Sequence, residues 1–178
     1  MSLADDAHSR ARDLDRLIED QIPKIRLSSS NELLSELRAY MDRQDRTLGV
    51  GNNVISQLKR VSDPSGLAQI NLGVPSLDRT SSAFVLRSGS RLTFGISVRD
   101  EGRNAALIAY RFQVQFPEWH SPNYLRFDLI PRQHEVPLRE ARCHLHPGAR
   151  DMRIPIPVLS PLEVLDRIFF VIEPQIRR

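Results

Sequence analysis

Residues 142–148 hold two of the five histidines of the chain and its only cysteine. Side chains of an extended strand alternate between its two faces, so Arg142, His144 and His146 would share one face. The residues between them would point to the other face. Two imidazoles beside a guanidinium have the parts needed to bind a phosphate, to transfer protons or to hold a metal ion.

Further polar side chains lie upstream of this run, within residues 126–135. If the strands around positions 126 and 144 are neighbours, Arg126 and Asp128 face the two histidines. Such a cluster can cleave a phosphodiester without a metal. A neutral histidine takes the proton of a ribose 2′-hydroxyl, a protonated histidine donates to the leaving oxygen, and arginine stabilises the phosphate charge. We therefore predict three phosphate-binding residues, Arg126, Arg142 and Arg132, and four catalytic residues, His144, His146, Asp128 and His134.

Less specific interpretations of the same residues stay open. Histidines at this spacing are often exposed or hydrogen-bonded within a fold, and Arg126 with Asp128 can form a solvated ion pair worth about 0–1 kcal/mol. Zinc needs three or four convergent ligands. The histidines of residues 142–148 would supply two and His134 or Asp128 a third, but the spacing matches no known zinc motif. Because Cys143 would point away from the histidines, we predict no metal site and no cofactor.

Three apolar stripes at helical spacing lie within positions 1–62. The first lies within 14–25, and the third spans 50–61. The second opens at Ser29, with Glu32 completing a capping-box pattern. Its apolar stripe consists of Leu33, Leu34, Leu37, Tyr40 and Met41. We expect these stripes to pack on the body of the same domain, although a small bundle or a partner chain would also cover them.

A connection rich in Ser, Pro and Gly, 63–82, separates this helical region from 83–178, where the apolar period changes to two. A turn at 100–104 predicts an antiparallel hairpin. Its second strand would place on one face Ala106, Ile108, Tyr110, Phe112, Val114 and Phe116. Residues 160–163 carry the Ser, Pro and Glu of a helix start, and 169–172 fit either that helix or a short strand. The sequence therefore predicts an α+β fold with N-terminal helices, an antiparallel β-sheet and a C-terminal helix.

Composition limits the function classes only broadly. The net charge is +3, and because Lys24 and Lys59 are the only lysines, all Lys and Arg positions of 63–178 are arginine. Arginine suits phosphate recognition, but the codon usage of a GC-rich genome would produce the same preference. One cysteine excludes an intrachain disulfide. No apolar stretch is long enough to span a membrane, and the acidic start lacks the regions of a signal peptide, so we expect a cytoplasmic protein with no membrane partner.

Five short motifs follow one another between about residues 105 and 170. They are Tyr110-Arg111-Phe112, Arg126-Phe127-Asp128, His134-Glu135-Val136-Pro137, His144-Leu145-His146 and Pro161-Leu162-Glu163-Val164-Leu165. Their order resembles that of the TumE-type toxins of bacterial toxin–antitoxin pairs. The chain departs from that family in two ways: the paired histidines after the aspartate are reduced to His134, and the helical start is longer than a short toxin carries. The resemblance implies a toxin-like or defence-associated protein that acts on RNA and is held by an antitoxin.

A competing hypothesis needs no catalysis. In this second interpretation the chain is a protein-interaction module or assembly subunit, and the histidines are structural. The helices of 1–62 would then bind a partner protein or a second copy of the chain as a homo-oligomer.

Overall fold

The computed structural model describes residues 29–73, 82–102, 104–131, 142–149 and 151–176. A 19-residue helix, α1 (Ser30–Leu48), begins the described chain and leads into a 3₁₀ turn (Asn53–Gln57). Eight strands follow in this part of the chain: β1 (Lys59–Ser62), β2 (Leu67–Leu72), β3 (Phe84–Val85), β4 (Arg91–Glu101), β5 (Asn104–Gln115), β6 (Tyr124–Leu129), β7 (Cys143–Pro147) and β8 (Ile154–Pro155). The chain then forms helix α2 (Pro161–Asp166), a π-helical segment (Arg167–Ile172) and a 3₁₀ turn (Glu173–Gln175).

The eight described strands form one antiparallel sheet in the order β1-β2-β4-β5-β6-β7-β8, with β3 beside β4 on the same edge as β2. The predicted hairpin is confirmed as β4 and β5, whose Glu101 and Asn104 pair across a turn at Gly102. This glycine has φ +65°, a backbone conformation that residues with a Cβ rarely adopt. The antiparallel sheet and its α+β setting are thus as the sequence predicts.

Alternation along β4, β5 and β6 gives the sheet one apolar face, which forms the core with α1 and the C-terminal helical segment. The fully buried side chains include Leu33, Leu37, Met41, Phe84, Phe94, Ile96 and Phe112. The stripe of α1 therefore packs on the body of the same fold, as expected, and Leu34 lies at its margin. Polar residues occupy the other face of the central strands, and the functional candidates lie there.

A β-bulge changes one detail of the predicted hairpin. The register shifts between Ser97 and Val98 of β4. Beyond that shift, Ala105 is buried in the core and Leu107 packs against it. The prediction that Ala106 and Ile108 share the core face is therefore wrong, because a bulge inserts one extra residue and inverts the alternation beyond it.

The caps of both helices follow the sequence. The side chain of Ser29 accepts a hydrogen bond from the backbone of Glu32 at the start of α1. Ser160 and Glu163 form a complete capping box at the start of α2. After α2 the backbone continues as a π-helical segment, so the alternative of a short strand at 169–172 is wrong.

The third predicted helix, 50–61, is wrong. Helix α1 ends at Leu48, and the next residue, Gly49, has φ +67° and donates its backbone N–H to the Asp45 carbonyl. A 3₁₀ turn and strand β1 occupy the predicted helical stretch. The sheet therefore starts at Lys59, and β2 lies within the predicted connection 63–82. The first predicted helix, within 14–25, lies outside the described residues. Among the helices that are described, none has the length and apolar character needed to cross a bilayer.

Candidate functional site

Strand pairing brings together four of the site residues that the sequence predicts. β6 and β7 are antiparallel neighbours, and their register places Arg126 opposite His146 and Asp128 opposite His144. On the other side of β6, β5 places Arg111 opposite Asp128. Residues directly opposite on neighbouring strands share a face of the sheet. The expected juxtaposition of Arg126 and Asp128 with the two histidines is therefore present.

Asp128 is the centre of this cluster, and it is buried. Its Oδ2 lies 2.9 Å from Nε of Arg126, and its Oδ1 lies 3.2 Å from Nε of Arg111. The same Oδ2 lies 3.4 Å from Nε2 of His146 and 3.8 Å from Nε2 of His144. Two guanidiniums thus hold the carboxylate by charge-assisted hydrogen bonds, and two imidazoles turn the same nitrogen toward one of its oxygens.

Both imidazoles are buried, with exposed fractions of 3% for His144 and 1% for His146. Their ring centroids lie 4.8 Å apart in an edge-on arrangement. Burial lowers the pKa of His146 below its ordinary value of 6.5, the charges of Arg126 and His144 lower it further, and Asp128 opposes the shift. The imidazole of His146 is therefore held in its neutral form at pH 7.

The other ring nitrogen of His146, Nδ1, is buried and has no completed hydrogen bond among the described residues. The backbone of Ala149 lies near enough to interact with the ring.

The cluster borders a recess of about 500 Å³ on the polar face of the sheet. Its lining includes Gln69, Gly95, Ser97, Arg111, Arg126, Asp128, His144, His146 and Arg153. Gly95 stands opposite Arg111, and a Cβ there would lie 2.8 Å from the side-chain oxygen of Asn71. The side chain of Arg111 is 55% exposed, so it is a part of the cluster that solvent reaches.

Of the three remaining predicted site residues, Arg142 is the one that the structure describes. Arg142 precedes β7, and its Nε donates to the carbonyl of Ile130 at 3.2 Å, while its Nη2 lies 3.5 Å from the carbonyl of Ile108. The recess is bordered by Arg153 rather than by Arg142. Whether Arg142 binds phosphate beside the histidines therefore stays a prediction. Arg132 and His134 lie outside the described residues.

Two arginines of the site were missed by the sequence reasoning. Arg111 alternates with the core residues Tyr110 and Phe112, so strand alternation alone places it on the polar face. Only the register of β5 with β6 reveals that Asp128 is its partner. Arg153 lies between β7 and β8, and no periodic signal in the sequence points to it.

Cys143 lies on the opposite face of β7, in the core. Its Sγ is 3.2 Å from the Tyr110 hydroxyl, and burial raises the pKa of the thiol. A buried thiol with a raised pKa is a poor nucleophile. The expected separation of the cysteine from the two histidines is confirmed.

The cluster also has the elements of a metal site. Asp128, His144 and His146 each offer one ligand atom, and these atoms lie within 4.8 Å of one another. Imidazole nitrogens and a carboxylate oxygen are common ligands of zinc and other transition metals. The arrangement can therefore either exchange protons or hold an ion. Comparison with known protein families, with curated proteins and with solved structures finds no match to this chain.

Proposed function

We propose that the chain is a toxin-like or defence-associated protein that acts on RNA and cleaves it by metal-independent phosphodiester chemistry in the recess. The observation that carries this proposal is the convergence of two imidazoles and two guanidiniums on Asp128. General acid–base catalysis needs two proton-exchanging groups, and phosphate chemistry needs fixed positive charge beside them.

Each side chain has a role in this proposal. His146, kept neutral by its lowered pKa, takes the proton of the ribose 2′-hydroxyl as that oxygen attacks phosphorus. His144 donates a proton to the 5′-oxygen as its bond to phosphorus breaks, which yields a 2′,3′-cyclic phosphate and a 5′-hydroxyl. Arg111 and Arg126 bind the phosphate with the remaining donors of their guanidinium forks. Asp128 positions the histidines and arginines through the contacts described above.

The test is RNA cleavage by the purified chain together with growth arrest on expression. We expect His146→Gln to lose at least about 100-fold of the cleavage rate, since positioned acid–base groups contribute about 10²–10⁴-fold. The matched control is His120→Gln, whose half-buried ring packs beside Phe116 outside the recess. Products should end in a cyclic phosphate, and EDTA should not lower the wild-type rate. Equal cleavage and toxicity in wild type and His146→Gln would reject the assigned roles.

The interaction-module hypothesis is a second candidate, because an apolar surface near the C-terminus favours it. Phe170 and Val171 are 62% and 52% exposed on the π-helical segment. The apolar stripe of α1, in contrast, is buried in the core of the fold. This helix therefore offers that stripe to no partner. If this candidate is correct, Phe170→Glu abolishes the growth phenotype in the same assay, whereas His146→Gln leaves it intact.

A further inference from the structure

We propose that Asp128, His144 and His146 form a binding site for one divalent transition-metal ion of the zinc class. Nε2 of His146 and Nε2 of His144 lie 3.4 Å and 3.8 Å from the same carboxylate oxygen. Metal–ligand bonds of about 2.0–2.1 Å at tetrahedral or octahedral angles put neighbouring ligand atoms about 2.8–3.4 Å apart. The two nitrogen–oxygen separations therefore need to close by only a few tenths of an ångström around an ion, and no pair of ligand atoms is more than 4.8 Å apart.

The ligand set selects the class of metal. Two of the three ligand atoms are imidazole nitrogens, which suit zinc, cobalt, nickel, copper and iron. Calcium and magnesium require mainly oxygen ligands and would find one carboxylate here. Among the described residues that line the recess, the positive charges are those of Arg111 on β5, Arg126 on β6 and Arg153 after β7. These charges weaken the binding of any cation, and most of all the binding of an ion that is held by charge alone. A metal that forms partly covalent bonds with imidazole is therefore favoured.

The site is held in place before any ion arrives. Its ligands lie on two paired strands and are buried, so little side-chain freedom is lost on binding. Arg111 and Arg126 fix the two oxygens of Asp128 from outside, as supporting hydrogen bonds do around metal-binding carboxylates.

The contacts of His146 also fit a metal ligand. Its Nε2 faces Oδ2 of Asp128 at 3.4 Å, and its Nδ1, on the other side of the ring, is buried with no completed hydrogen bond among the described residues.

Three protein ligands leave at least one coordination position open, as in catalytic rather than structural zinc sites. The recess of about 500 Å³ gives that position access to water or a small anion. This inference does not rest on the proposed ribonuclease activity. A bound ion would occupy both imidazole lone pairs, so metal binding and the proton transfers proposed above exclude each other at any one moment.

The test uses the full chain, stripped of metal and then given one equivalent of Zn²⁺ or Co²⁺. After gel filtration, elemental analysis should find one ion per chain, and Co²⁺ should produce visible absorption typical of a low-coordinate site. His144→Gln and His146→Gln should each weaken Zn²⁺ binding at least about 10-fold, since loss of a supporting partner alone costs about 10–100-fold. His120→Gln, the matched control, should bind as the wild type does.

Two results would overturn the inference. One is wild-type chain that emerges from gel filtration without metal, and the other is a double variant, His144→Gln with His146→Gln, that retains one ion. If the variants fail to fold, X-ray absorption of the Zn²⁺-loaded wild type decides. Two imidazole ligands and one carboxylate would support the site, and any other set of protein ligands would reject it. None of these measurements depends on RNA cleavage.

Discussion

Asp128 is the common neighbour of the charged and titratable side chains of the site. It is a buried carboxylate with two guanidiniums and two imidazoles around it. With neutral imidazoles, its single negative charge already faces the positive charges of Arg111 and Arg126. A proton on His146 would add a third positive charge in a place with little solvent. The lowered pKa of His146 follows from that burial first, and from Arg126 and His144 second.

We predict that this shift makes folding stability depend on pH. The pKa of His146 is lowered in the folded chain and stands near 6.5 in the unfolded chain. Between those two values the unfolded state binds more protons, so stability falls as pH falls from about 6.5, by at most about 1.4 kcal/mol per pH unit. Above pH 7 the contribution is fully present. Urea unfolding of wild type and His146→Gln between pH 7.5 and 5 measures it.

The informative quantity is the difference in free energy of unfolding between wild type and His146→Gln. We expect the stability gap to change with pH in this range because the glutamine cannot titrate. His120→Gln is the control, and its gap to wild type should stay constant. A gap between wild type and His146→Gln that is independent of pH would show that His146 titrates alike in both states.

The alternation of side chains along the strands predicted most of the site. Alternation placed His144 and His146 on one face, and the same rule put Arg126 and Asp128 together. Alternation assigns faces but not neighbours, so the pairing of Arg111 with Asp128 could not be read from the chain. Register depends on contacts between residues that are distant in sequence.

The helices show the corresponding limit. Ser29 and Ser160 mark both described helix starts correctly, because capping is a local interaction. The apolar stripe in 50–61 led to the wrong prediction of a helix, because a few apolar residues at spacings of three and four fit a turn followed by a strand equally well. Gly49 was the missed signal, because a glycine after the last apolar residue typically ends a helix.

Asp100 ties α1 to the hairpin, and we predict that Asp100→Asn destabilises the fold. Its oxygens accept from the backbone N–H and hydroxyl of Ser30 at 2.7 and 2.6 Å, and Arg60 lies 3.1 Å away. A carboxylate at a helix N-terminus also meets the positive end of the helix dipole. Loss of its charge should cost about 1–2 kcal/mol at pH 7, measured by urea unfolding.

The pH profile distinguishes this role from a general loss of packing. The hydrogen bond from Ser30 is the main reason that the pKa of Asp100 lies below its ordinary value. Stability from this shift is present above about pH 4 and is lost as pH falls through the lowered folded pKa. Asp100→Asn should therefore approach wild-type stability in acid. Asp42→Asn, which removes an exposed pair with Arg46, should cost less than about 0.5 kcal/mol.

At the scale of the whole molecule, helix and sheet share one core. Leu33, Leu37 and Met41 of α1 are fully buried in the same cluster as the sheet residues. Side chains of the C-terminal segment join them: Phe169 packs its ring against Tyr40 and Phe84. The apolar stripe of α1 is therefore not available to a partner or a second copy in this fold, whereas Val50 and Val61 of the stripe in 50–61 are exposed.

We predict that a chain of residues 29–178 unfolds cooperatively, whereas a chain of residues 63–178 does not. The shorter chain lacks α1, β1 and the buried Leu58. Each large apolar side chain removed from a core costs about 2–5 kcal/mol, and a whole domain is stable by only about 5–15 kcal/mol. Near-UV circular dichroism during urea titration measures the transition. A cooperative transition in 63–178 would mean that the sheet folds without α1, and would return the apolar stripe of that helix to the surfaces available for a partner.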